Sequence, residues 1–322
     1  MEKPKDALTV GAAQFEPRVS DTTYNLDTLE DLSSQAAKRG VQIVRFHGGA
    51  ITAYEFAVGL SYDELAGHAE AVPSGPSIRR LIEISKKLGV AIMAGIIEKD
   101  GERLHNTYVC VHDGEMLARF RKLHPFVNPN LTPGEEYLVF DLFGWKCSIL
   151  ICYDNNIIEN PRAVTLLGAE VIFAPHVTGA TPAAMAGRGY VPEGLWERRH
   201  IDPVPLRREI EGVKGREWIM RWRPARIDDN GGYYVFTNTI GYDGPHFKPG
   251  YAMILDPNGD QLVEARSMDN EVVVATLTKD KLGTSFGKLF KDARRPDLYA
   301  SIIGAPHESA TKAEWMNEDD NA

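Results

Sequence analysis

The chain is poor in cysteine: three in 322 residues, Cys110, Cys147 and Cys152. So few, and an odd number, exclude a disulfide scaffold and suit a reducing compartment. Long apolar runs are missing as well, and nothing approaches the ~20 residues that span a bilayer. The start, Met1-Glu2-Lys3-Pro4-Lys5-Asp6, is followed by no apolar stretch of the kind a secretory signal carries. Basic charge is also short. The 36 Lys and Arg face 45 Asp and Glu, a formal net charge of -9, which argues against nucleic acid or an anionic membrane as partner. The histidines have no zinc-like spacing, and neither Gly-x-x-x-x-Gly-Lys nor Gly-x-Gly-x-x-Gly occurs, so no metal and no nucleotide cofactor is expected. What is left is a cytoplasmic, reduced, non-membrane protein with enough apolar residues for a sizeable core.

What the chain does have is an alternation of strands and helices that later gives way to hairpins. Leu8–Phe15 reads as a short buried strand, followed by a helix over about Tyr24–Arg39 that ends at Gly40. Val41–Phe46 reads as a second strand. Ser74-Gly75-Pro76-Ser77 opens a helix with an apolar stripe at helical spacing that stops at Gly89, and Val90–Ile96 follows as a strand. Asn106–Val111 and Met116–Phe120 flank an Asp113-Gly114 turn and predict a hairpin. Further on come an apolar strand over Trp145–Cys152, a helix over Pro161–Leu167 and a strand over Glu170–Ala174. Residues 179–215, rich in Pro, Gly and Arg, read as a long surface excursion of the kind that often serves as a lid. A helix over Arg216–Arg226, a strand over Tyr233–Asn238 and a hairpin across Pro257-Asn258-Gly259 complete the pattern. This order predicts mixed sheets in one domain over residues 1–306, with a polar tail over 307–322 expected to be disordered.

Chemistry concentrates at the end of one strand. Ile149-Leu150-Ile151-Cys152-Tyr153-Asp154-Asn155-Asn156 carries a thiol at a strand-to-helix elbow, where following backbone N–H groups can hold a developing oxyanion. A cysteine there is also read as ordinary core packing, because Cys is among the most buried residue types. Cys110 and Cys147 lie inside strands and read as core. Lys122 follows a hairpin strand. A lysine beside a thiol favours the thiolate and stabilises negative charge on a substrate oxygen, whereas a lone Lys is more often a solvated edge residue.

Together these segments resemble the nitrilase superfamily of carbon–nitrogen hydrolases, over roughly Leu8–Ile303. The resemblance rests on Ala12-Ala13-Gln14-Phe15, Phe46–Tyr54, Arg121-Lys122-Leu123-His124, Thr132-Pro133-Gly134-Glu135-Glu136-Tyr137, Cys152-Tyr153-Asp154, Leu167–Ile172 and Asp256–Asp260. It implies an α/β fold, a four-layer α-β-β-α sandwich with mixed sheets, assembled as a homodimer or higher homo-oligomer. It implies a Glu-Lys-Cys catalytic set acting on an amide, nitrile or N-carbamoyl carbon. Cys152 matches the nucleophile and Lys122 the lysine, with the Tyr153 backbone N–H as oxyanion donor. His176, Tyr54, His47 and Asp154 fall where the substrate pocket is lined, although His176 is equally read as a loop histidine and Asp154 as a group that fixes the elbow.

The departure is at the third catalytic position. Phe46, Thr52 and Tyr54 fix the register, and the residue that should be the glutamate is Gly48. A second acidic position between the lysine and the cysteine also has no carboxylate, Glu135 and Glu136 being nearest. A positioned general base contributes ~10²–10⁴-fold, so hydrolysis should be slow or absent unless Glu55, His47 or Asp154 substitutes. The chain then reads either as a base-poor hydrolase or as an inactive or repurposed binding or oligomer-forming relative. Arg45, a charge in an apolar strand, is read either as a salt bridge to an acid behind the site or as an anion-binding group. Arg188, Arg198, Arg199, Arg207 and Arg208 are read as solvated surface or as carboxylate recognition.

Overall fold

The computed structural model describes residues 6–179, 189–243 and 246–306; the tail from residue 307, and Arg188, lie outside these residues. Two mixed six-stranded sheets face each other. The first contains β1 (Ala7–Gln14), β2 (Ile43–Arg45), β3 (Ala91–Asp100), β4 (Arg103–His112) and β5 (Glu115–Arg121). The second contains β6 (Val139–Leu142), β7 (Trp145–Ile149), β8 (Val171–Pro175) and β9 (Tyr233–Thr237), and a ribbon of β10 (Ile240–Asp243) and β11 (His246–Pro249) stands apart from both sheets. β12 (Met253–Leu255) and β13 (Gln261–Glu264) extend the second sheet, and β14 (Glu271–Thr278) returns to the first. The orders are β14-β1-β2-β3-β4-β5 and β13-β12-β9-β8-β7-β6. In each sheet the three central strands pair in parallel, β1-β2-β3 and β7-β8-β9, and antiparallel strands flank them.

Strand alternation assigns the layers. Leu8, Val10, Ala12 and Ile43 turn into the core shared with Cys147, Ile149, Phe173 and Val235 of the opposite sheet. Ala13, Phe15 and Val44 turn the other way, against Leu26, Leu29 and Leu32 of the helix Thr22–Lys38 and Ile78, Leu81 and Ile84 of the helix Pro76–Leu88. Helices on the second sheet complete an α-β-β-α sandwich, as the sequence predicts. Cys110 and Cys147 both sit in the inter-sheet core.

Four expectations are corrected. The strand over Trp145–Cys152 stops at Ile149, because Cys152 enters a 3-10 turn over Cys152–Asn156. The helix expected over Pro161–Leu167 spans Glu159–Leu166, with Pro161 inside its first turn, where a missing N–H costs no helical bond. The helix over Arg216–Arg226 is two, Arg216–Met220 and Arg223–Asp228, because Pro224 cannot donate inside a continuing helix and instead starts a new one. The described part of the long excursion is no loose loop: it forms the helices Glu193–Glu197 and Pro203–Glu211, and Trp196, Leu206 and Ile210 bury into the main hydrophobic core.

Candidate active site

The sandwich brings its chemistry to the carboxyl ends of its strands. Lys122 follows β5, Cys152 lies three residues past the end of β7, His176 follows β8, and Phe46–Tyr54 follows β2. Central parallel strands leave such crevices at their carboxyl ends.

Cys152 has φ 49°, a left-handed conformation that a residue with a side chain adopts at a cost of ~1–3 kcal/mol. The fully buried Asp154 holds it there. Its carboxylate accepts the backbone N–H of Ile151 at 3.1 Å, of Leu123 at 3.3 Å and of His124 at 2.9 Å, and meets His124 Nδ1 at 3.1 Å. Asn155 Nδ2 donates to the carbonyls of Leu150 and Cys152 at 2.7 and 3.1 Å. Asp154 thus fixes the elbow, the alternative to pocket lining weighed from the sequence, and ties it to the segment bearing Lys122. Tyr153 packs its ring edge-on against Phe126 at 5.2 Å.

Lys122 is buried, with its backbone clamped between Asn106 O (2.9 Å) and the N–H of Gly134 (2.8 Å). A Cβ on Gly134 would lie 2.3 Å from Arg121 O, so the Thr132-Pro133-Gly134 turn needs glycine to approach this strand end. The Lys122 ammonium lies 4.5 Å from the Phe126 ring centroid and 5.6 Å from that of Tyr54, and neither Lys122 Nζ nor Tyr54 Oη meets a hydrogen-bond partner. Burial disfavours the charge, but Tyr54, Cys152 and Asp154 outweigh it and raise the Lys122 pKa. Asp154 is the only carboxylate among those three groups.

The Gly48 N–H donates to His176 O at 3.3 Å, and its carbonyl presses on Gly95, where a Cβ would lie 1.8 Å away. A Cβ on Gly48 itself meets only Ile151 Cγ2 at 3.8 Å and the His176 and Pro175 backbone at 3.9 Å, ordinary contact distances. The carbonyl of Phe46 accepts from Tyr108 Oη at 2.6 Å and Thr237 Oγ1 at 2.7 Å, so hydroxyls of β4 and β9 hold the exit of β2.

His176 donates Nδ1–H to Ala174 O at 2.9 Å, which leaves Nε2 a bare acceptor without a partner. Burial and the charge of Arg223 push its pKa well below the usual value, so the ring is neutral. Two arginines complete the neighbourhood. Arg223 is buried against Trp222 and Phe236, donates Nη1 to Ile219 O at 2.6 Å, and lies close enough to Cys152 for the two charges to act on each other. Arg45 turns between the sheets with Ile43, its guanidinium 5.7 and 5.5 Å from the ring centroids of Tyr108 and Phe173. None of its three guanidinium nitrogens has a hydrogen-bond partner, and among the described residues no Asp or Glu lies within salt-bridge distance of Arg45 or Arg223. The salt bridge considered for Arg45 is therefore absent from these residues.

The candidate substitutes for a base are placed elsewhere. Glu55 pairs with Lys248 and His246. Burial would lift its carboxyl, but these two cations overcome that and hold it down at about 2. His47 is fully buried with its ring 4.5 Å from Phe15, and burial alone lowers its pKa to about 3. Arg198, Arg199 and Arg207 donate to the carbonyls of Gly194, Met268 and Arg266 on the surface, and Glu135 and Glu136 are exposed. Sequence reasoning missed Arg223 and Tyr234: nothing distinguishes Arg223 from Arg221 and Arg226 in the same run. It also missed Asp243, which accepts the N–H of Tyr54 (3.1 Å) and Glu55 (3.0 Å) and so fixes the Tyr54 side of the site. Among the described residues no cluster of His, Cys, Asp and Glu is placed to hold a metal, and no helix is long and apolar enough to cross a membrane.

Burial and the neighbouring Glu55 raise the Asp243 carboxyl to about 6. An acid whose folded pKa lies above its unfolded value, near 3.8, binds its proton more tightly when folded, so this contribution to stability fades as pH rises from about 4 to about 6. Asp243→Asn should therefore gain stability relative to the parent across that window, by on the order of 1–3 kcal/mol. Denaturant titrations at pH 4 and pH 8 that give the same difference between the two proteins would contradict this.

A sandwich with a strained cysteine elbow, a buried lysine and a neutral histidine at its strand ends defines a thiol enzyme of the α-β-β-α class. A profile of the Carbon-nitrogen hydrolase family matches residues 9–284, and the chain belongs to that family. Among its relatives are a nitrilase of Pyrococcus abyssi, 27% identical over 91% of this chain and 99% of that protein, and an N-carbamoylputrescine amidase of Solanum lycopersicum, 28% identical over 94% and 97%. The fold is shared with a solved amidase of Nesterenkonia AN1 from the nitrilase superfamily, at a TM-score of 0.67 and 19% identity, covering 93% of this chain and 98% of that one.

Proposed function

We propose that the protein hydrolyses a non-peptide C–N bond of a small amide, nitrile or N-carbamoyl compound through a covalent intermediate on Cys152, and that Gly48 leaves this reaction without its built-in general base. The observation that carries the reading is the Cys152 elbow: a strained backbone held by a buried carboxylate beside a buried lysine. Cys152 attacks the substrate carbon, the Tyr153 N–H and the Lys122 ammonium receive the charge that develops on its oxygen or nitrogen, and ammonia or an amine departs. His176 Nε2 and Tyr54 Oη, buried and unpartnered, orient the substrate. Water then releases the product from sulfur.

A second reading, a binding protein that keeps the fold, is favoured by one observation, the lack of a carboxylate at Gly48. Incubation with amides, nitriles and N-carbamoyl compounds separates the two. The expected result is slow ammonia release with a mass adduct on Cys152, and loss of both in Cys152→Ala. An intact thiol after every substrate, with no ammonia, would leave the binding protein.

A further inference from the structure

The site holds an imbalance of charge. Lys122, Arg223 and Arg45 are buried at 0–1% exposure, and Lys122 Nζ, Arg223 Nε and every guanidinium nitrogen of Arg45 are without a hydrogen-bond partner. Buried cations are ordinarily paired, because an unpaired one costs several kcal/mol. The standing carboxylate of this neighbourhood, Asp154, already accepts from three backbone N–H groups and His124, and Glu55 is engaged by Lys248 and His246. Gly48, a position with no side chain, donates its N–H to His176 O, and an added Cβ there makes only ordinary contacts, the nearest at 3.8 Å; His176 in turn feels the charges of Arg223, Arg45 and Lys122. His176 Nε2, also buried and unpartnered, faces the same neighbourhood, and Tyr234 lies beside Arg223.

We infer that the space at Gly48 receives a carboxylate the chain does not carry, held by the unpaired cations Lys122 and Arg223, and that this carboxylate acts as the general base for Cys152. The inference rests on the hydrolytic reading above and names its substrate class: small amides that bear a carboxylate, or neutral amides processed with a free small carboxylate in the site. The carboxylate takes the Cys152 thiol proton as sulfur bonds to the amide carbon. It returns that proton to nitrogen as the C–N bond breaks, releasing ammonia and leaving a thioester. It then takes a proton from water as the water oxygen bonds to the thioester carbon. The C–S bond breaks, the proton passes to sulfur, and acid product leaves. Atoms balance as a hydrolysis, and no oxidant or reductant is needed.

Three arms test this. Propionamide is assayed alone, propionamide with added formate or acetate, and succinamate, the half-amide of a dicarboxylic acid, alone. Saturable acceleration of propionamide by at least tenfold with formate identifies a free carboxylate as the source; at least tenfold faster turnover of succinamate without formate identifies the substrate itself. In Gly48→Glu, whose own carboxylate fills the space, both accelerations should disappear. A readout independent of turnover compares alkylation of Cys152 by iodoacetate and by iodoacetamide. The anionic reagent should react faster in the parent, and the preference should reverse in Gly48→Glu. If no substrate turns over yet iodoacetate is preferred, the hydrolytic reading fails and the carboxylate site stands. No acceleration in either arm, together with an iodoacetate to iodoacetamide ratio that Gly48→Glu leaves unchanged, overturns the inference.

Discussion

Gly48→Glu should raise the turnover of a neutral amide by about 10²–10⁴-fold, the span a positioned general base ordinarily contributes. The backbone is ready for it. A Cβ at position 48 meets ordinary contacts at 3.8–3.9 Å, and φ at Gly48 lies outside the left-handed region, so glycine is not demanded by conformation. The Gly48 N–H bond to His176 O does not involve a side chain and survives the change. The new carboxylate would meet Lys122, whose ammonium is unpaired, so the substitution should also stabilise the fold. The measurement is kcat for ammonia release from one neutral amide by both proteins, together with their melting temperatures. Equal rates in two well-folded proteins would place the base elsewhere and remove the assignment of position 48.

The second large effect has two readouts of opposite sign. Lys122→Met should abolish ammonia release and the Cys152 adduct while leaving the protein as stable or stabilising it by about 1–4 kcal/mol, the range seen when buried charges give way to apolar groups of similar volume. Methionine approximates the lysine stem, and the surroundings of its end, the Phe126 and Tyr54 rings, are apolar faces. The lost ammonium breaks no hydrogen bond. Activity lost together with stability would mean that Lys122 supports the fold rather than the reaction. Activity retained in a stable protein would exclude it from the site.

Much of the fold was legible because strand alternation and helix punctuation are local. β1, the Asp113-Gly114 hairpin and the helix ending at Gly89 are set by residues adjacent in sequence, and the structure keeps them. The cysteine elbow was legible too as a turn, since the apolar run of β7 stops at polar residues that turn the chain. The excursion over 179–215 misled because its Pro, Gly and Arg content resembles solvated loop, while Trp196, Leu206 and Ile210 bury only through contacts distant in sequence. Arg223 was hidden for the same reason: its neighbours Arg221 and Arg226 share its chemistry, and only the packing of Trp222 and Phe236 around it singles it out. Arg45 stood out in sequence as a charge within an apolar strand, but that it lacks an acid partner is a property of three dimensions.

The carboxylate of Asp154, shared among Ile151, Leu123 and His124, has an evolutionary consequence. It welds nucleophile and lysine into one half-site that stands or falls as a unit, since losing that single acid would loosen both. Gly48 belongs to the other half, where its N–H donates to His176 O, so a side chain added there breaks none of the bonds that Asp154 makes. On the function proposed above, such an arrangement would let a lineage change the residue at position 48 while the cysteine elbow stays intact.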